Sequence, residues 1–340
     1  MHLFHHFQTS TYRTLPLVAP VWKDAVRLAF KFEYLMHAVL CVSASHLAFL
    51  SQNKRSYYKT QSRKHLSCTL HLFRESLGKG AIDDDSDAIL ATSALIYYEA
   101  WYSPDVLATG DPAGETRQGL LYRAPDDQLL ALAGGMRHLF SNERGALRNV
   151  SVFSQTIVHR PIKAIESATL SLGRDPYGIE CFLAGVYNQP GMISDCHVRQ
   201  LPDRLANKTP QKQTHTESNI RSIPVDSPTC EYDAYMSVAA RLSILMSLLP
   251  GKDMPRAEQS PSALDIHPEL IHDVSRVVYT FSLMFHHSFM AMLHDNDSRA
   301  LLLLYYFYRM AQQLLPKQDC WWAWERAEIM QQRLEKRIWS

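Results

Sequence analysis

The chain has 340 residues, 46% of them hydrophobic and 20% charged, a globular composition long enough to bury a large core. Its 35 basic and 34 acidic residues leave a formal net charge of +1, which excludes the overall basic footprint of a nucleic-acid-binding domain. Length alone allows about two domains, but no strong linker separates self-sufficient halves, and the sequence reads as one continuous domain over 1–340.

The chain opens on Met1-His2-Leu3-Phe4-His5-His6-Phe7, helical and His-rich, without the charged region and long apolar core of a signal peptide. This opening closes at Thr14-Leu15-Pro16. A short helix is expected over Val21–Phe30, with Trp22, Val26 and Phe30 on one face. A longer, nearly all-apolar helix follows over Phe32–Ser51, where Ala38, Ser43, Ala44 and Ser45 permit close packing. The stretch Lys54–Leu77 is amphipathic: Leu66, Leu70, Phe73 and Leu77 form the apolar stripe, while Lys59, Arg63 and Lys64 face out. Gly78 and Gly80 stop it, and Asp83-Asp84-Asp85-Ser86 caps the next helix, Ser86–Tyr102.

Residues 103–126 form a long turn-rich insertion. Helix resumes over Asp127–Phe140 and again over Ser151–Leu172, with a kink or break near Pro161, and a short helix is expected over Tyr177–Val186. The polar stretch 198–229, with Pro202, Pro210, Pro224 and Pro228, reads as a disordered loop. Helix returns at Glu231–Leu249, and after a loop at Gly251–Pro261 the last helices are Pro268–Leu293, Ser298–Leu315 and Asp319–Ile338. Period-two patterns are scarce and no internal repeat appears. No apolar run reaches the ~18 residues of a membrane span. The six cysteines, Cys41, Cys68, Cys181, Cys196, Cys230 and Cys320, are scattered, which fits a reduced intracellular compartment.

The stretch Tyr279–Met310 organises the architecture. Asp295, Asn296, Asp297 and Ser298 suit a turn and an N-cap between two apolar arms. The run Ala300–Tyr308 has no polar face, so it must sit inside the protein. The expected fold is all-α: a single large multi-helix domain around a buried apolar helix hairpin. The second arm is a central post, and Trp321, Trp322 and Trp324 lock the last helix against it.

Two blocks carry a family resemblance. The first holds His5-His6-Phe7, Thr11-Tyr12-Arg13-Thr14-Leu15-Pro16, Trp22, Leu28-Ala29-Phe30, Leu35-Met36-His37-Ala38-Val39-Leu40, Ser45-His46-Leu47-Ala48, Tyr57-Tyr58, His65 and Leu72-Phe73-Arg74. The second holds Phe289, the run Asp297–Tyr306 and Trp321-Trp322-Ala323-Trp324. In order and spacing they resemble the regulatory domain of fungal zinc binuclear-cluster transcription factors, particularly the sterol-uptake-control type. The middle, 103–230, carries little of the resemblance. The resemblance implies an all-helical regulatory domain that can dimerise and, in the sterol branch, holds a hydrophobic ligand. It also implies a preceding DNA-binding module with six clustered cysteines. This sequence starts at the regulatory domain and its cysteines lie far apart, so the expectation is a regulatory module without its own DNA reader.

Several constellations bear on chemistry. His65, Cys68 and His71 are spaced three apart, but the third turns about 120° from the first on a helix, so packing and surface roles are preferred to a metal site. The terminal His2, His5 and His6 are treated alike, and no metal or cofactor is expected. Lys54, Arg55, Lys59, Arg63 and Lys64 read as a solvated helix face, so neither direct nucleic-acid binding nor a membrane is expected. The ligand-binding candidates are Tyr98, Glu99, Trp101, Met284, Phe285, His286, Met290 and Tyr305: a Met- and Tyr-rich surface with a few polar groups. Glu99, if buried, gains a raised pKa or needs a partner; otherwise it reaches solvent near its helix end. The leading expectation is a ligand-responsive transcription-regulator-like domain binding a hydrophobic metabolite in sterol or secondary metabolism, nuclear or cytoplasmic. Its partners are a hydrophobic small molecule and a homo-dimer or hetero-dimer with a full-length regulator. The ligand is expected among the helices near 32–50, 86–102 and 279–308. The alternative is a metal-independent cyclase or isomerase on a terpenoid or polyketide intermediate, with Glu99 and His286 catalytic.

Overall fold

The computed structural model describes residues 1–17, 19–78, 86–103, 121–142, 151–153, 159–194, 230–249 and 267–339, and among these every regular element is a helix. The all-α expectation holds. The acidic cap Asp83-Asp84-Asp85, most of the 103–126 insertion, the loop 198–229 and the loop at 251–261 lie outside the described residues. The chain gathers into two compact units, each assembled from three stretches of sequence. The first takes 1–109, 127–160 and 316–326, and the second takes 110–126, 161–315 and 327–340.

The first unit holds α1 (His2–Thr9), α2 (Ala19–Ala29), α3 (Glu33–Leu50), α4 (Arg55–Gly78), α5 (Ser86–Tyr102) and α6 (Gln128–Asn142). Every residue of α5 from Ala88 to Tyr102 is buried, as a helix apolar on all sides requires. Helices α2, α3 and α6 pack against it. A short turn at Gln52–Lys54 joins α3 to α4, and the two helices lie along each other, as neighbours joined by so short a link do. Helix α4 turns Tyr58, Ser62, Leu66, Thr69 and Phe73 inward, a stripe at helical spacing. Leu77, expected on that stripe, is 43% exposed, and Phe30 is 70% exposed because α2 stops at Ala29.

By length and a mean hydropathy of 1.3, α3 qualifies as a membrane span, which corrects the expectation that no run is long and apolar enough. Two-thirds of it (67%) is buried within the protein. It also carries Ser43, Ser45 and His46 into the unit's interior. Residues 316–326 complete the unit. Trp321 stacks on His46 at 4.8 Å and meets Tyr102 edge-on, and Trp322 meets Trp101 and Tyr98 edge-on at 5.5 and 5.8 Å. Arg326 is buried, donates to the Ala100 carbonyl at 3.1 Å and pairs with the equally buried Asp127. Asp127 also accepts from the Leu129 amide at 3.1 Å, capping the start of α6.

The second unit holds α7 (Pro161–Ser171), α8 (Glu180–Asn188), α9 (Glu231–Met246), α10 (Ile271–Thr280), α11 (His287–His294), α12 (Ser298–Leu314) and most of α13 (Trp321–Trp339). Helix α9 packs on α7, α8, α11 and α12. Pro161 begins α7, where its missing N–H costs nothing, so the expected break is a helix start. Gly173, at φ +70°, closes α7: its own N–H reaches Leu170 and that of Arg174 reaches Thr169. The Arg174 guanidinium then takes the carbonyls of Ser247, Leu248 and Leu249, just past the end of α9.

The single helix expected over Pro268–Leu293 is divided. A tight turn at Phe281–Met284 and extended backbone at Phe285 and His286 part α10 from α11. The hairpin itself is as expected. Asn296 takes φ 55°, a conformation asparagine tolerates, and Asp297 caps α12 by accepting from the Arg299 amide at 2.8 Å. Ala300–Tyr308 is buried throughout. Phe307 stacks face to face on Phe281 at 3.9 Å. The indole of α13 that meets this post is Trp339, 4.9 Å from the Tyr305 ring. The contacts of Trp321 and Trp322 given above are with α3 and α5, which corrects the expected lock against the post.

Candidate functional site

Glu99 sits one turn before the end of α5, on a helix with no solvent-facing side. It is 4% exposed, so the reading in which it reaches solvent is overturned. Its carboxyl oxygens collect hydroxyls. Ser45 of α3 donates to Oε2 at 2.7 Å, and Ser62 of α4 donates to Oε1 at 3.1 Å. Ser103, just past α5, donates to Oε1 at 3.3 Å. Ser62 lies 2.8 Å from Ser45 and 3.4 Å from the Cys41 thiol, so the cluster ties α3, α4 and α5 together.

Burial pushes the Glu99 carboxyl above the ordinary carboxylate range, while the hydrogen bonds from Ser45, Ser62, Ser103 and Cys41 pull it back. No basic group among the described residues contributes to its state. Burial, and then the carboxylate beside it, hold the Cys41 thiol well above its usual value, so it is an inert neutral thiol. Among the described residues the arrangement is therefore a buried acid supported by neutral donors and lacking a counter-charge.

A partly open hollow of about 250 Å³ lies beside it. Leu66 and Leu70 come from α4, Ile96 and Glu99 from α5, and Gln128, Ala131 and Leu132 from α6. Among these, Glu99 is the one ionisable residue.

The other candidates fall in two groups. Tyr98 and Trp101 share α5 with Glu99 and are buried, with Tyr98 5.9 Å from the Trp22 ring. Met284, Phe285, His286, Met290 and Tyr305 belong to the second unit. There Phe285 is buried between Phe281 and Phe289, and Tyr305 is buried with its hydroxyl accepting from Arg309 at 3.0 Å. Met284, His286 and Met290 are half-buried, and His286 is the N-cap residue of α11. The eight candidates thus divide between two units.

The histidines do not gather. His65 turns to His37 of α3, with the two Nδ1 atoms 2.9 Å apart, Cys68 is exposed, and His71 faces Glu75 at 3.3 Å. His2 stacks on Tyr58, and His6 tilts against His46. No three His, Cys, Asp or Glu among the described residues converge to hold a metal. His46 is buried, bonded through Nδ1 to the Thr11 hydroxyl at 3.1 Å, and burial takes its pKa down to about 3. In the basic face of α4, Arg55 pairs with Glu325 at 2.9 Å.

Sequence reasoning named Glu99 but missed its partners. Ser45 was seen as a small packing residue, and Ser62 and Ser103 were not singled out. The available signal was a hydroxyl on the inward stripe of α4, where Ser62 stands one turn before Leu66. Asp127 and Arg326 carry no signal in the sequence, since their pairing spans 199 residues.

Residues 2–107 match the fungal specific transcription factor domain. A Zn(2)-C6 fungal-type transcription factor of Gibberella zeae is 32% identical over 108 residues, covering 29% of this chain and 22% of that protein. Sterol uptake control protein 2 of Saccharomyces cerevisiae is 29% identical over 105 residues, covering 29% of this chain and 11% of that protein. The chain thus spans about a fifth and about a tenth of these relatives' lengths, at 22% and 11%. No solved structure matches it. The matched segment, residues 2–107, carries Glu99 and the hydroxyls around it.

Proposed function

We propose that this chain is a ligand-responsive regulatory module of a fungal transcription regulator. It binds a hydrophobic metabolite beside Glu99 and acts in the nucleus in control of sterol or secondary metabolism. The observation that carries this reading is the hollow of about 250 Å³, walled by five aliphatic side chains and Gln128 beside a single buried acid. Part of its wall, Leu66, Leu70, Ile96 and Glu99, lies in the matched segment 2–107. Occupancy shifts a regulatory equilibrium only if the ligand prefers one of two states. The α4–α5–α6 wall supplies such a preference, since a molecule filling the hollow stabilises the arrangement that forms it.

Thermal shift tests this. A ligand at about 100 times its Kd stabilises the folded state by about 2.7 kcal/mol. A panel of terpenoids, sterols and fatty alcohols is expected to include stabilising members. Leu132→Phe, which fills the hollow, is expected to abolish their effect. No shift from any apolar compound, or shifts unchanged in Leu132→Phe, overturns the reading. A partner role beside a full-length regulator belongs to the same proposal, and light scattering on the eluted protein reads the dimer it requires.

One observation favours a second reading. A carboxyl pushed upward by burial is suited to donate a proton, so a cofactor-independent cyclase or isomerase with Glu99 as acid is its competitor. His286 belongs to the other unit and has no assigned part in it. Conversion of a terpenoid or polyketide intermediate that is lost in Glu99→Gln supports this reading, and turnover equal to the protein-free blank removes it.

A further inference from the structure

The ligand reading leaves open what chemistry the hollow selects, and three features bear on that. Size is the first. A cavity of about 150 Å³ accepts benzene, so in proportion the 250 Å³ beside Glu99 accepts roughly ten non-hydrogen atoms. That is the bulk of a bicyclic monoterpene skeleton, and a sterol is far larger. The wall is the second: Leu66, Leu70, Ile96, Ala131 and Leu132 present hydrocarbon, and Gln128 adds one neutral amide. The third is charge. Glu99 accepts hydroxyls from Ser45, Ser62 and Ser103, and among the described residues no basic group takes part in its environment. Those donors favour the ionised form, against the burial that raises the carboxyl's pKa. What it lacks is a positive charge to offset its removal from water.

Resting on the reading of the hollow as a ligand site, we propose that its ligand is a compact hydrocarbon carrying one basic nitrogen, with the ammonium group set against the Glu99 carboxylate. An alcohol of the same shape supplies one further neutral hydrogen bond and no charge, since three serines leave about one of the carboxylate's four acceptor positions. An ammonium group adds a charge-assisted bond and supplies the missing counter-ion. An acid of the same shape brings a second negative charge and is rejected.

Bornylamine, borneol and camphor share one skeleton and separate these cases. Their Kd values are measured by calorimetry on the full chain, on Glu99→Gln and on Leu132→Phe, with folding checked by circular dichroism. Bornylamine is expected to bind wild type at least about tenfold tighter than borneol, the margin of a charge-assisted over a neutral bond. Glu99→Gln is expected to bring the two to within about threefold, the residue of a neutral contact. Leu132→Phe is expected to weaken both. Borneol or camphor binding as tightly as bornylamine, and lost in Leu132→Phe, overturns the amine assignment and leaves the ligand site standing. Binding of none of the three, together with no effect of Leu132→Phe on any apolar ligand, removes the site itself. Should Glu99→Gln fail to fold, the wild-type ratio of bornylamine to borneol decides alone.

Discussion

Helices α5 and α12 are both apolar runs swallowed by their surroundings, yet they are built to different ends. Helix α12 is surrounded by rings and aliphatics: Phe307 lies flat on Phe281 at 3.9 Å and Tyr305 meets Trp339. Helix α5 buries an acid near its end, supports it with three serines, and leaves a hollow beside it. A solid aromatic pillar is what stability alone favours. A buried acid with no counter-charge among the described residues is destabilising, so its presence points to a task other than holding the fold.

The sharpest way to break this contrast is Phe307→Ala. It removes a fully packed ring and is expected to cost about 3–5 kcal/mol in urea denaturation. A cost under about 1 kcal/mol would show that the site collapses easily and that α12 is not the rigid member. Next comes Asp127→Ala, which strands the buried Arg326 guanidinium and is expected to cost about 3 kcal/mol. Pairing it with Arg326→Met is expected to recover most of that loss, because a stranded charge is worse than an apolar pair. Failure of the double variant to recover would mean that the Asp127 cap on α6 matters more than the pair.

Acid unfolding gives the third test. His46 has a folded-state pKa of about 3 against an ordinary 6.5, so the unfolded chain binds more protons between these values. The contribution of its burial is complete above pH 6.5 and is lost as pH falls toward 3, by up to about 1.4 kcal/mol per pH unit. His46→Gln is expected to flatten that limb, and an unchanged acid limb would assign it to other groups.

Glu99→Gln gives the smallest effect, within about 1 kcal/mol near neutral pH, since a neutral amide keeps polar contacts without a charge to bury. Its raised pKa has the opposite sign to that of His46: the native state holds the proton more tightly. That stabilisation is complete below the ordinary carboxylate pKa and is lost as pH rises through the raised value. The variant should lack this loss. A large destabilisation at all pH values would make Glu99 a structural keystone and end the contrast with α12.

The helices were legible because apolar runs, glycines and caps are local signals. Asp297 announced the start of α12, and Ser86–Tyr102 was read to its ends. The break at Phe285 and His286 was not legible, because Phe281, Phe285 and Phe289 continue a four-residue period across it while the backbone does not. Glu99 was legible as an acid in an apolar helix. Its partners Ser45 and Ser62 stand 54 and 37 residues away, and only the packing of α3 and α4 aims them at it. The hollow was equally hidden, since three of its seven lining residues come from α6, across the insertion at 103–126.

The interleaving of the chain bears on how this protein is made. Arg326 reaches the Ala100 carbonyl across 226 residues of chain, and Trp322 closes on α5 from the same late stretch. During translation α5 is therefore synthesised long before its last neighbours exist. For that interval its hydrocarbon surface must be shielded by provisional contacts or by a chaperone. An excised fragment ending near residue 107 would stay in that half-dressed condition, sticky and fluid inside, however well its sequence matches a domain.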